Sequence, residues 1–326
     1  MTPLKLVFLG SDPIALALLE WLAGEGRAVA EVSAVFTQPD RPAGRGQQVM
    51  ANAIKAWALA RGLPVHQPAK LGDADRAGLA ALQPDVALVM AYGQILRDDF
   101  IAAPRLGTLN LHTSLLPKYR GASPIQTAIA CGETETGVSL MRIVRKLDAG
   151  PVADVERIEI GRLDTAADVE SRLAAACVPL LARTLPHLRA GTLEFHPQDE
   201  SAATSCRRLE KADGALDFLQ PAADLAARVN GLFPWPTCSV HLAGTEVKIG
   251  LADAIPGAGA PGTVLGADEV GLLVATGSGV LRLRRLQRPG GKLLGAPDFL
   301  RGFPVPAGTF VASRPMAGLR REPDGA

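Results

Sequence analysis

Over its first 190 residues the chain alternates short apolar runs with Ala/Leu-rich amphipathic stretches. Residues 4–10 (LKLVFLG), 32–37 and 85–91 (DVALVMA) are nearly continuous apolar runs of strand length, which predicts strands buried on both faces. Between the first two, Asp12-Pro13 supplies an N-cap and a first helical residue for a helix to about Ala23, stopped by Gly24 and Gly26. Further helices are predicted over 51–61, over 73–82, and from Ser123-Pro124 to Cys131. Strands follow at 138–143 and 152–160. A long helix then opens at Asp164-Thr165 and runs to about Ala190, with Pro179 expected to kink or divide it. Strands and helices in alternation, with strands apolar throughout, predict an α/β fold with a doubly wound, mostly parallel sheet.

The pattern changes after that. Residues 191–208 are polar and aperiodic and read as a linker. A helix over 222–230 is followed by short strands at 238–242, 246–251, 262–265, 271–276 and 280–286, a spacing that predicts a small β-barrel. The expected domains are therefore 1–190, a linker 191–208 and a barrel 209–314, with 315–326 a frayed tail.

One stretch departs from the apolar pattern: residues 107–125, GTLNLHTSLLPKYRGASPI. It puts Asn110, His112 and Ser114 on one face of an extended strand, with Leu109, Leu111 and Thr113 on the other. A buried strand with a face of Asn, His and Ser lines a site. In doubly wound sheets ligands bind beyond the carboxyl ends of the strands, and Tyr92-Gly93 also falls near such an end. An imidazole exchanges protons near neutral pH, and an amide N–H can hold a developing oxyanion. The other histidines, His66, His187, His196 and His241, lack polar companions at useful spacing and read as structural. Asp148, in RKLDAGP, reads by spacing alone as a turn residue before Gly. Its chemical alternative is a carboxylate that orients His112 or relays a proton.

A net charge of +1 excludes a global polycation, so nucleic-acid binding needs a local patch. There are two candidates. The loop PDRPAGRG (39–46) carries Arg41 and Arg45. The strand LRLRRL sets Arg282 and Arg284 against Leu281 and Leu283, predicting one basic face. Such charges usually mark a solvated face; the alternative is a phosphate backbone. Four well-separated cysteines without ligand spacing read as buried thiols in a reducing compartment, so neither a disulfide framework nor a metal is expected. The N-terminus lacks a signal peptide's apolar core and cleavage site, and no run is long enough to span a bilayer. A cytoplasmic, soluble monomer with no membrane contact is expected. Gly10-Ser11-Asp12 is no GxGxxG fingerprint, so a nicotinamide-dependent oxidoreductase lacks support.

The segments NLHTSLLPKYRGASPIQ and ETGVSLMRIVRKLDAGPV resemble the tetrahydrofolate-dependent formyltransferases. The resemblance implies a catalytic set of Asn110, His112 and Asp148. It implies a folate-holding turn of Ser114, Leu115, Leu116 and Pro117, with Tyr92 and Gly93 beside the same cofactor. It also implies a Rossmann-like first domain, an OB-like second domain and 10-formyltetrahydrofolate as donor. FTQPDRPAGRG, VMAYGQIL and RVNGLFPWP are closest to members that act on the initiator methionyl-tRNA. In those members the loop at 39–46 enters the acceptor stem, which makes Arg45 and Arg41 tRNA contacts; Arg282 and Arg284 are the expected contacts on the barrel. Gln47-Gln48 stands where the family often has lysines, and the usual Tyr-Ala is replaced around Cys206. Amino-sugar and purine-precursor formyltransferases and formyltetrahydrofolate hydrolases would keep the catalytic set without needing the Arg45 loop or a basic barrel strand. A non-catalytic RNA-binding protein would need only the barrel.

Overall fold

The structure is a computed structural model that describes residues 2–43 and 48–322. Its strands begin with β1 (Leu4–Gly10), β2 (Ala30–Phe36), β3 (Arg41–Ala43), β4 (Gln48–Met50) and β5 (Val65–His66). They continue with β6 (Val86–Met90), β7 (Thr108–His112), β8 (Arg120–Gly121), β9 (Glu135–Arg142) and β10 (Val152–Glu159). β1 is buried at every residue but Lys5, as its apolar run requires. The seven-stranded sheet has the order β10-β9-β7-β6-β1-β2-β5. β5, β2, β1, β6 and β7 run parallel, and β9 pairs antiparallel with β7. The chain winds outward from β1 to β2 and β5, then back to β6 and β7, so the switch point lies between β1 and β6. There the Ser11 amide donates to Ala91 O at 3.2 Å, bringing the two strand ends together.

The first helix is Leu16–Ala23, entered through a 3₁₀ turn at Pro13–Ala15 where Asp12 accepts from the Ile14 amide. Pro179 does not divide the long helix. One 25-residue helix, Ala166–Ala190, runs through both Pro179 and Pro186. Its stripe of Leu173, Ala176, Cys177, Leu180, Leu181, Leu185 and Leu188 is buried while Pro179 faces solvent. At about 1.5–3 kcal/mol per large buried side chain, that stripe outweighs the roughly 3 kcal/mol of an interior proline. The loop read as irregular contains a hairpin, β3 against β4, with Arg41 opposite Met50.

The chain forms two compact units. One comprises Met1–Arg120, Gly137–Ile158 and Ser171–Ala203; the other comprises Gly121–Thr136, Glu159–Glu170 and Thr204–Ala326. The second unit carries β11 (Ser205–Cys206), β12 (Cys238–Leu242), β13 (Thr245–Ile255) and β14 (Val264–Ala267). β15 (Leu272–Ala275), β16 (Val280–Gln287), β17 (Leu294–Gly295) and β18 (Arg320–Arg321) complete it. β12-β13-β16-β15-β14 form an open antiparallel half-barrel, with β17 added on β16. The helix Ala222–Gly231 packs on β13 and on the helix Pro124–Ala130. Gly231 makes that approach possible, because a Cβ there would lie 2.6 Å from the Ala130 amide nitrogen. Asn230 donates to Ala252 O and accepts from Ala252 N, and the buried Arg228 donates to Asp213 O and Ala317 O. RVNG is therefore a packing device of this unit.

Within the stretch expected to fray, the described residues 315–322 pack on the second unit. Leu319 is buried, Arg320 and Arg321 pair with Cys206 and Ser205, and Ala317 O receives the Arg228 guanidinium. A buried guanidinium needs acceptors, and the tail supplies one. Among the described residues no helix is long and apolar enough to cross a membrane.

Candidate active site

β7 is held between β6 and β9. Leu109 and Leu111 are buried in the core, Asn110 is half-buried, and His112 is 6% exposed. Asn110 pairs with Val89 and Met141, and His112 with Ser139. Asn110 and His112 therefore share one sheet face, as their alternation predicts. Among the described residues the Asn110 carboxamide makes no side-chain hydrogen bond, so its N–H groups remain available to a ligand.

Both nitrogens of His112 face defined groups. Nε2 lies 2.9 Å from the Tyr119 carbonyl oxygen. A carbonyl only accepts, so Nε2 carries the proton and the neutral ring keeps its lone pair on Nδ1. Nδ1 lies 3.7 Å from Asp148 Oδ2, with both side chains largely buried. That separation is too long for a hydrogen bond but short enough to stabilise a proton arriving at Nδ1. Tyr119 and Asp148 both sit at positive φ, 59° and 48°. Left-handed backbone at a bulky Tyr is strained, and such strain gathers at functional sites.

The next turn is closed from within. Ser114 is fully buried, and its hydroxyl donates to Lys118 O at 2.7 Å. It closes the turn containing Leu115, Leu116 and Pro117. Ser139 braces the same turn, donating to Ser114 O at 2.7 Å and accepting from the Leu116 amide at 3.1 Å. Gly137 lets Leu115 lie on β9, because any Cβ there would collide with the Leu115 side chain and the Glu156 carbonyl.

Tyr92 sits deeper than the turn. Its ring is 2% exposed, within a cluster that includes Val89, Leu96 and Phe100, and its hydroxyl has no partner among the described residues. Burial drives the phenol pKa far up. Only its carbonyl meets polar groups, accepting from Gln38 Nε2 at 3.1 Å. Gly93 follows at φ 82°.

Of the tRNA candidates, Arg45 lies outside the described residues. Arg41 is exposed and donates to Gln38 Oε1 at 3.0 Å. The hairpin's base is tied down by Asp40, which pairs with Lys55 Nζ at 2.6 Å and accepts from Gln67. The predicted one-signed face on β16 is not present. Arg282 faces Asp253 across the β13 register, with Nη2 at 2.6 Å and a second ion pair to Asp268 at 3.0 Å. Arg284 also reaches Asp253, at 3.3 Å. The sequence of β16 alone hides these acids because they arrive from neighbouring segments. Arg285, Arg288 and Lys292 are the exposed cations there.

Ser139, Tyr119 and Gly137 also shape the site and were not among the expected residues. Ser139 left a signal, a small polar residue inside the apolar run VSLM. Tyr119 acts through its main chain and left none.

The fold is similar to that of an N-formyltransferase from Helicobacter canadensis, with a TM-score of 0.64 and 17% identity over 86% of this chain and 99% of that one. HypX from Aquifex aeolicus gives 0.61 and 17%, covering 95% of this chain and 51% of its own. Sequence relatives are closer. The methionyl-tRNA formyltransferase of Aromatoleum aromaticum is 43% identical over 94% of this chain and 96% of its own. That of Xanthomonas campestris is 46% identical over 91% and 97%. Residues 4–185 match the formyl transferase family and residues 208–304 match the formyl transferase C-terminal domain. With both parts matched, the chain belongs to the formyl transferase family.

Proposed function

We propose that this chain transfers the formyl group of 10-formyltetrahydrofolate to the α-amine of methionyl initiator tRNA, acting as a cytoplasmic monomer. The observation that carries the acceptor is the similarity to methionyl-tRNA formyltransferases along more than nine-tenths of both chains. The geometry at His112 supports the reaction.

The amine lone pair attacks the formyl carbon, and the carbonyl electrons move onto oxygen. Asn110 donates a hydrogen bond to that oxygen as it becomes anionic. His112 takes the amine proton at Nδ1, since Nε2 is already protonated and held by Tyr119. Asp148, 3.7 Å from Nδ1, stabilises the resulting imidazolium. When the intermediate collapses, the C=O bond reforms, the bond to N10 breaks, and His112 returns the proton to N10. The turn of Ser114, Leu115, Leu116 and Pro117 borders the folate through main chain and apolar side chains, with Gly93 nearby.

Arg41 and Arg45 are the proposed tRNA contacts of the hairpin, and the second domain contributes the rest. Arg282 and Arg284 must exchange Asp253 for phosphate to take part, so Arg285, Arg288 and Lys292 rank before them. The test is detection of N-formylmethionyl-tRNA by mass after incubation with 10-formyltetrahydrofolate. The wild type forms it and His112→Ala does not; equal rates for the two would remove His112 from the reaction.

A further inference from the structure

We infer that Gln198 is a positioning residue for His112, clamping together the two segments that face its ring nitrogens. One segment is Tyr119-Arg120, whose Tyr119 carbonyl receives Nε2–H. The other is the Asp148–Gly150 turn, whose carboxylate faces Nδ1. The Gln198 carboxamide touches both. Its Nε2 donates to Asp148 O at 2.8 Å and to Gly150 O at 2.7 Å. Its Oε1 accepts from Arg120 Nε at 3.0 Å and Nη2 at 2.8 Å. The amide cannot be flipped, because carbonyls only accept and a guanidinium only donates.

A second link runs parallel to it. Arg120 also grips Glu200, whose Oε2 receives Lys146 Nζ at 2.6 Å, two residues before Asp148. The turn itself has little freedom. Gly150 packs so closely on the Arg142 carbonyl that no Cβ fits, and Asp148 is held at φ 48°. Releasing the clamp would let the turn relax its strained backbone and carry the carboxylate away from Nδ1. A misplacement on the order of 1 Å at a catalytic group costs about 10²-fold in rate. The ordinary alternative is a tether that merely fastens residues 191–203 to the sheet.

This inference rests on the proposed function for its kinetic arm. Two variants separate it from the tether. Gln198→Leu removes every hydrogen bond at similar size. Gln198→Glu keeps the Arg120 contact and adds charge to it, but turns an acceptor toward two carbonyls. The inference expects both to lower kcat by about 10- to 10²-fold with KM for donor and acceptor unchanged. It expects Gln198→Glu to remain folded, with the far-UV circular dichroism spectrum of the wild type. It also expects the His112 ring ¹⁵N shifts, read at fixed pH and assigned with His112→Gln, to move in both variants. A tether predicts that Gln198→Glu keeps wild-type kcat and unmoved ring shifts, and that result overturns the inference. So does a fall in kcat with unmoved shifts, because the loss then bypasses His112. If the wild type forms no formylmethionyl-tRNA, the function reading fails and the ring shifts alone decide the inference.

Discussion

At the residue scale the site is built by main-chain carbonyls as much as by side chains. The Tyr119 carbonyl fixes the His112 tautomer, and with it the nitrogen that can take a proton. The role proposed for Asn110 is simpler, an N–H supplied at an oxyanion. Asn110→Ala is expected to lower kcat by about 10²–10³-fold with little change in KM, measured by steady-state formylation. Tyr92 tests the opposite case. Its buried hydroxyl has no partner, and an unsatisfied buried polar group costs on the order of 1–3 kcal/mol. Tyr92→Phe is expected to raise stability by about 1 kcal/mol in chemical denaturation and leave formylation unchanged. Lost activity would give the Tyr92 hydroxyl a part in the reaction.

At the scale of elements, what the sequence made legible follows from how each signal arises. β1, β6 and β7 were readable because their burial is written in their own side chains. The face shared by Asn110 and His112 was readable because strand alternation is local. The β3–β4 hairpin was not, because Pro- and Gly-rich residues show no alternation. The Asp253–Arg282 pair was not, because it joins strands far apart in sequence. The Ser114 hydrogen bond to Lys118 O was not readable either, because it depends on how the turn closes. Gly137 shows what packing adds. Gly137→Ala is expected to destabilise by about 1–3 kcal/mol and weaken folate binding by displacing Leu115 from β9. Folate titration and thermal melting check both effects.

The Glu200 link answers to pH. The Arg120 hydrogen bonds, followed by that of Lys146, lower the Glu200 carboxyl to about 2 from 4.5. A carboxylate depressed in the folded state stabilises above its unfolded pKa and loses that contribution as pH falls. The Tm gap between wild type and Glu200→Gln is therefore expected to be open at neutral pH, to narrow below 4.5 and to close near 2. Melts across that range check it; a gap independent of pH would mean that the link does not stabilise the fold.

At the scale of the whole molecule, the donor and the acceptor are recognised by different evidence. The first unit contains Asn110, His112 and Asp148, the proposed catalytic set, which would serve formyl transfer to any amine. The tRNA acceptor is argued from the full-length relatives, the hairpin arginines and the exposed cations of the half-barrel. With a net charge of +1, the proposed recognition needs local patches such as these. Replacing Arg45 by Ala is expected to raise KM for the tRNA with kcat retained, and to reduce the salt slope of binding by about 1.

The most direct measurement is one acceptor panel. The purified protein is incubated with 10-formyltetrahydrofolate and, separately, initiator methionyl-tRNA, elongator methionyl-tRNA, a nucleotide-linked amino sugar, a purine-precursor amine, or buffer alone. The account predicts formylation of the initiator species at a rate well above all the others. Formylation of the sugar or the purine precursor, or release of formate in buffer alone, with none on the initiator tRNA, would contradict it.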